Sequence, residues 1–323
     1  MPASPGKQFA LSGTACCLVS SLAYTAVNVC MRQLTSLRCD PSWAVFNREL
    51  VTSAVAALWL ACHAVRSRPV LPFGRTLAGL LVVGLIVEAG ANVGAQWALG
   101  IVGLAVAIPA QFGLMITAGA VLGRVGLGEQ VSLRSAAAIA LLLVALVLLG
   151  LGAEAVGRSI AGAGATAPGP LMLLLAVGAA GLAGIVYALL STVIRHSVTR
   201  TTTPSVVAFL VPLMAVVSLG PISVYRFGFA PLLSTPREQL FLMAAAGVFN
   251  LVGFLGLIHG LQRTTVVHAN VVNASQVAMA AVAGMALFHE SPNLWILLGV
   301  GLTIVGIVWI DRPAEAVEEI LPP

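Results

Sequence analysis

The chain has 323 residues, 59% of them hydrophobic and only 8% charged, with a mean hydropathy of +1.03 and a formal net charge of +5. A soluble domain needs about 25% charged residues to face water, which excludes ordinary cytosolic enzymes, disordered chains, fibrous repeats and small disulfide-rich modules. The 16 basic residues are scattered singly, which argues against a nucleic-acid partner. At about 20 apolar residues per bilayer crossing, the chain has material for about nine or ten membrane helices.

Apolar segments fall at about 9–31, 43–64, 76–99, 102–123, 132–152, 170–194, 205–225, 239–261, 264–288 and 293–310. None alternates apolar with polar positions, so barrel strands are excluded and the α-helix remains. The first segment is longer than a signal-peptide core and many similar ones follow it, so it is expected to stay in the membrane uncleaved. Cys16, Cys17, Cys30, Cys39 and Cys62 show neither metal-ligand spacing nor an even disulfide framework and read as small apolar residues. The sequence implies no metal and no cofactor.

With ten crossings the termini share a side. Lys7, Arg66, Arg68, Arg75, Arg124, Arg134, Arg195, Arg200, Arg263 and Arg312 then face one compartment, against Arg32, Arg38, Arg158, Arg226 and Arg237 on the other. The positive-inside bias puts both termini in the cytoplasm. The Gly, Ala and Pro-rich stretch 153–169 reads as the longest external connection.

Sliding the second half back by 163 residues brings Tyr187 onto Tyr24 and Arg195 onto Arg32, and lays Pro204, Ser205 and Phe209 on Pro41, Ser42 and Phe46. An offset of 161 places Glu290 on Glu129 and Gly299, Gly301 and Gly306 on Ala138, Ala140 and Ala145. Each half holds five helices, and an odd number of crossings turns the second copy upside down. The expected fold is therefore an all-α integral membrane protein with ten transmembrane helices in two inverted five-helix repeats. Residues 1–152 form the first repeat, 153–169 an external linker, 170–310 the second repeat and 311–323 a cytoplasmic tail. Inverted halves around a midplane axis are the physical basis of alternating access.

Ten helices in two halves, Phe46 and Arg48 in a Phe-x-Arg pattern, and the acids Glu129 and Glu290 after the fourth and ninth helices together resemble the EamA family of the drug/metabolite transporter superfamily. The resemblance implies a carrier of small metabolites such as amino acids, nucleotide derivatives or amphipathic compounds. The chain departs from the pattern where Val211 stands opposite Arg48.

A charged side chain at the bilayer centre costs about 2.5 to 3.5 kcal/mol on insertion scales, so those present are expected to face a cavity or a partner. Glu88 lies midway along the third helix, with Asn92 and Gln96 at four-residue steps on the same face, and Asn250 stands within one position of its equivalent in the eighth helix. Glu88 is expected either to exchange a proton during the cycle or to pair with a cationic substrate group or with Arg48, whose neighbour Glu49 points about 100° away. The ninth helix carries His268, Asn273 and Gln276 on one broad face, and Gln111 occupies the related fourth helix. Tyr24 and Asn28 on the first helix are echoed by Tyr187 and Ser191 on the sixth. Gly90 with Gly94 and Gly256 with Gly260 are expected to form close helix contacts, and Glu129 and Glu290 to cap the helices that follow them.

The residues expected to contact substrate are Glu88, Asn92, Gln96, Asn250, Asn273, Gln276, Gln111, Tyr24, Asn28, Tyr187, Arg48 and His268. No metal-binding His pair, nucleophile motif or phosphate loop is present, so an enzyme is not expected. One midplane acid, one buried Arg and several amides suit a small polar or zwitterionic compound, first an amino acid or derivative and second a cationic amphipathic compound. A plasma membrane of the bacterial inner type is the expected location, with a small molecule and the lipid bilayer as partners. Proton coupling stays open.

Overall fold

The computed structural model describes residues 5–64, 74–127, 133–161, 168–200, 202–264, 266–290 and 293–309. Among the described residues there are helices and connections but no strand. Helix α1 spans Pro5–Ser36 and α2 Pro41–Ala64. The third segment runs without a break through α3 (Arg75–Leu85), a π-helical turn (Ile86–Asn92) and α4 (Val93–Val102). It is followed by α5 (Leu104–Leu127) and α6 (Leu133–Ala161). The second half contains α7 (Pro170–Arg200), α8 (Pro204–Phe227), the short α9 (Phe229–Leu233), α10 (Arg237–Arg263), α11 (Val266–Asn273), α12 (Gln276–Phe288) and α13 (Leu294–Trp309).

Among the described residues, nine helical segments are long and apolar enough to cross a membrane, and the apolar α13, with 16 residues, is shorter. The local sequence explains the helix starts. Pro41, Pro170 and Pro204 each open a helix, where the missing N–H is not needed. Asp40 Oδ1 accepts hydrogen bonds from the Ser42 and Trp43 amides at 2.9 and 3.2 Å and so caps α2. Beside it, burial and then the Asp40 charge push the Cys39 thiol up to about 12, keeping it protonated. Gly103, at φ 70°, joins α4 to α5 without a loop, using the left-handed region open to glycine.

Two segments differ from the periodicity reading. Helix α6 continues to Ala161, through the start of the expected linker, because Ala153, Glu154, Ala155 and Val156 are compatible with a helix whatever their loop-like neighbours. The ninth segment is not one helix but two, α11 and α12, broken at Ala274 and Ser275. The Ala274 amide returns to the Asn270 carbonyl at 2.9 Å and the Val277 amide to the Ala274 carbonyl at 2.9 Å, so the break is a tight turn. The expected tail, 311–323, lies outside the described residues, as does Glu129.

Leu22, Leu58, Val147, Leu174, Leu182, Phe241 and Val308 are exposed on the outside of the bundle, where a lipid-facing helix keeps its apolar side chains. Inside, α1 packs along α10, α7 along α3 to α5, α2 along α8, and α6 along α13. Lipid tails are as apolar as leucine, so such contacts depend on small residues that let backbones approach. A Cβ added at Gly247 would lie 2.8 Å from the Arg48 carbonyl and 2.6 Å from Val51 Cβ, and one at Gly84 would lie 3.3 Å from Val211 Cα. Gly256 and Gly260 pack against Cys16, Ser20 and Cys17 of α1 as their spacing predicts. Gly90 does not follow that pattern: it lies in the π-helical turn, and no atom lies within 4 Å of an added Cβ. The α6–α13 crossing sets Gly299 beside the Ala145 carbonyl and Gly306 beside the Ala138 carbonyl, at 3.2 and 3.4 Å from the added Cβ.

Gly247→Val should therefore force α10 away from α2 and cost about 1 to 3 kcal/mol, seen as a lower midpoint of thermal unfolding in detergent. Gly90→Ala, which meets open space, should leave that midpoint unchanged.

Candidate functional site

The helices enclose a cavity of about 130 Å³. That is roughly ten times the ~10–15 Å³ that admits one water, so the space is large enough to be wet and to hold a small molecule. Its polar lining comes from Tyr24 and Asn28 of α1, Arg48 and Glu49 of α2, Glu88 and Asn92 of the π-helical turn, Gln96 of α4 and Gln111 of α5. Tyr187 and Ser191 of α7, Asn250 of α10, Asn273 of α11 and Gln276 of α12 complete it. Val27, Met31, Phe112, Met115, Val211, Pro212, Phe254 and Leu257 form apolar wall.

Of the residues read from the sequence as contacts, His268 alone is not part of this lining. Its ring nitrogen Nε2 meets Thr14 Oγ1 of α1 at 3.0 Å. It sits on α11, on the side that packs against α1, about 140° around the helix from Asn273, which lines the cavity from the same helix. The other eleven are brought together. Glu49 was seen only as a companion of Arg48, although its adjacency to an arginine at that depth was a signal for a site. The apolar walls, Phe112, Met115 and Phe254, carried no local signal, since many helix faces of this chain are equally apolar.

Three polar groupings line the space. In the first, Arg48 and Glu49 form a buried ion pair, with Nη2 and Nε each on Glu49 Oε1 at 2.6 and 2.7 Å. Asn250 Nδ2 donates to both Glu49 oxygens at 3.1 and 2.9 Å and also reaches Thr52 Oγ1 at 3.1 Å. The glycine contact at Gly247 brings α10 close enough for this, one turn before Asn250. The second is a chain: Asn92 Nδ2 donates to Glu88 Oε2 at 2.6 Å, and the Tyr187 hydroxyl donates to Asn92 Oδ1 at 2.7 Å. The third joins Asn28 Nδ2 to Gln276 Oε1 at 3.3 Å. Gln96, by contrast, spends its amide on the Met31 carbonyl at 2.8 Å and ties α4 to α1.

Arg48 therefore takes its direct ionic partner from its own helix. Among the described residues Glu88 forms no ion pair. Asn273 is buried, donates its Nδ2 to the Ala269 carbonyl at 3.0 Å, and has no partner for Oδ1 among the described residues. Among the described residues no group of three or more His, Cys, Asp or Glu could hold a metal ion.

A second buried ion pair lies outside the cavity. Arg32 Nε meets Glu290 Oε1 at 3.0 Å, and the guanidinium stacks 5.1 Å from the centre of the Phe288 ring. The two Glu290 oxygens accept the Leu104 and Ala105 amides, both at 3.0 Å. Glu290 is thus a helix cap, but of α5 and not of the helix that follows it, because the tight left-handed turn at His289 carries its carboxylate back toward Gly103.

Compared with known proteins, residues 173–311 match the EamA-like transporter family, so the resemblance read from the sequence is shown for the second half of the chain. No curated protein matches. A solved structure described only as a crystal structure of a protein superposes with a TM-score of 0.60 over 96% of this chain and 99% of its own, at 16% sequence identity. That likeness shows the fold.

Removing one partner of a buried ion pair leaves the other charge uncompensated and costs about 3–5 kcal/mol, whereas replacing both with apolar residues costs far less. Glu49→Leu should accordingly lower thermal stability more than the double variant Arg48→Met with Glu49→Leu. A double variant that is the less stable of the two would remove Glu49 as the charge partner of Arg48.

Proposed function

We propose that this chain, which matches the EamA-like transporter family over residues 173–311, is a membrane transporter of the drug/metabolite type that moves a small polar metabolite by alternating access. The observation that carries the reading is the polar cavity itself, lined by Arg48, Glu49, Glu88 and amide groups that come from six of the membrane-spanning segments. Groups of this kind at membrane depth mark substrate pathways because lipid gives them no partner.

The inverted repeat finds support in contacts that repeat at the sequence offsets. Gly247 packs on Arg48 and Val51, and Gly84 packs on Val211 and Met214; the second set is the first shifted by 163 residues. At the α6–α13 crossing, Gly306 against Ala138 and Gly299 against Ala145 exchange under the 161-residue offset, as they must if a two-fold axis passes between these helices. Packing α1 on α10 and α7 on α3 and α4 obeys the same exchange.

With both termini cytoplasmic in a plasma membrane, the Arg32–Glu290 pair stands at the external end, where it ties α1, α12 and the start of α5 together. We read it as an external latch: three elements that must separate for outward opening share one buried carboxylate. Alternating access requires such contacts to be exchanged between two states of similar energy.

Protein reconstituted in liposomes should show saturable counterflow of its substrate; leakage without saturation would point to a channel, and a chemically altered product to an enzyme. Glu88→Gln should slow that exchange at least tenfold and flatten its pH dependence. Glu290→Gln should open the external end, read as faster labelling from outside by a membrane-impermeant maleimide at an Asn28→Cys reporter in protein whose five native cysteines are replaced. Unchanged labelling would exclude the latch.

A further inference from the structure

The charges around the cavity do not balance. The charged side chains of its lining are Arg48, Glu49 and Glu88. The first two neutralise each other through contacts of 2.6 and 2.7 Å, and both oxygens of Glu49 are further held by Asn250. What remains is one carboxyl, Glu88, whose only hydrogen bond among the described residues comes from a neutral amide, Asn92, itself held in place by the Tyr187 hydroxyl. A carboxyl removed from bulk water and given no cation by the protein holds either a proton or a cationic ligand.

The uncommitted acceptors point the same way. Besides Glu88, Asn273 of α11 lines the cavity and has a buried Oδ1 with no hydrogen-bond partner among the described residues. Carboxylate and amide oxygens accept N–H bonds, and an ammonium group supplies three. Phe112, Met115 and Phe254 offer an apolar surface, and Tyr24 and Tyr187 two aromatic rings, to whatever the ammonium is attached to. A zwitterion fares worse. Its ammonium would find Glu88, but its carboxylate would add a second negative charge to a lining whose one cation, Arg48, already offsets Glu49.

We propose that the substrate is a monovalent organic amine with an apolar body, whose ammonium replaces a proton on Glu88 as the counter-charge of the cavity. This rests on the carrier reading above and narrows it to the cationic class. Among the described residues no charged group but Glu88 and the Arg48–Glu49 pair lines the cavity, so the exchange involves this one carboxyl. The amine and the proton are then alternatives at one site, and movement of the amine in one direction returns the proton in the other.

The test uses the purified 323-residue chain and three compounds that share an isopentyl body: isoamylamine as cation, leucine as zwitterion and isocaproate as anion. Isothermal titration should show isoamylamine binding at least tenfold tighter than leucine, with isocaproate undetected, and its affinity should fall as pH is lowered. Glu88→Gln should abolish the preference. Leucine binding as tightly as the amine, an amine affinity indifferent to pH, or the absence of binding by all three would each overturn the proposal. Because the comparison is made within the wild-type protein, it stands even where the variant does not fold. Counterflow separates the two readings: leucine exchanged in place of isoamylamine sinks the amine and keeps the carrier, while amine binding without any exchange keeps the site and sinks the carrier.

Discussion

A charge inside a membrane protein has no water to fall back on, and that constraint organises this structure. Arg48 and Glu49 would each be costly alone among apolar helices. Together, with Asn250 and Thr52 closing the remaining hydrogen bonds, they become a neutral unit that pins α2 to α10. The same logic holds at Arg32 and Glu290, where a guanidinium, a carboxylate and two helix amides satisfy one another. Both pairs are nearly shut off from solvent, so neither can be separated without replacing its bonds by others of similar strength. Such an all-or-none requirement gives a bundle discrete states instead of a continuum of them.

Close backbone contact serves the same end by a different route. Lipid offers no hydrophobic drive to hold helices together, and glycine lets their backbones meet. Gly247 seats the Arg48 carbonyl, and Gly184 seats the Gln111 carbonyl of α5 against α7, so side chains that line the cavity hang from the tightest helix contacts. A group that must be held to a fraction of an ångström is best placed where the backbone has least room to move.

Much of this was legible in the sequence because membrane helices advertise themselves. The length and apolar composition of the segments located nine of the long helices and the shorter α13, and the expense of polar groups at that depth marked Glu88, Asn92, Asn250, Asn273 and Gln276, which the fold gathers around one space. What escaped was local geometry. Nothing in Ile86–Asn92 announces a π-helical turn, yet that turn carries Glu88 and Asn92 into the cavity and leaves Gly90 without a helix neighbour. The break at Ala274 and Ser275 is hidden because both residues are tolerated in a helix, and it separates Asn273 from Gln276, while His268 lies about 140° around α11 from Asn273 and meets α1. Glu290 was recognised as a cap, but its target, α5, is distant in sequence, and only the folded chain brings that helix N-terminus to it.

If the two halves are copies, their differences hold the chemistry. Under the 163-residue offset Arg48 corresponds to Val211, Glu49 to Pro212 and Glu88 to Leu251. Val211 and Pro212 do line the cavity, from the matching stretch of α8, yet they bring no charge to it. Among the described residues every charged group of the lining thus comes from the first half, while the glycine contacts that shape the frame recur in both. A symmetric frame lets the cavity face either side at similar energy. A symmetric set of charges would double the carboxyls in one small space, where two like charges oppose each other's ionisation. One acid without a copy leaves a single carboxyl outside the Arg48–Glu49 pair, which is the charge that the proposed exchange of a cation for a proton requires.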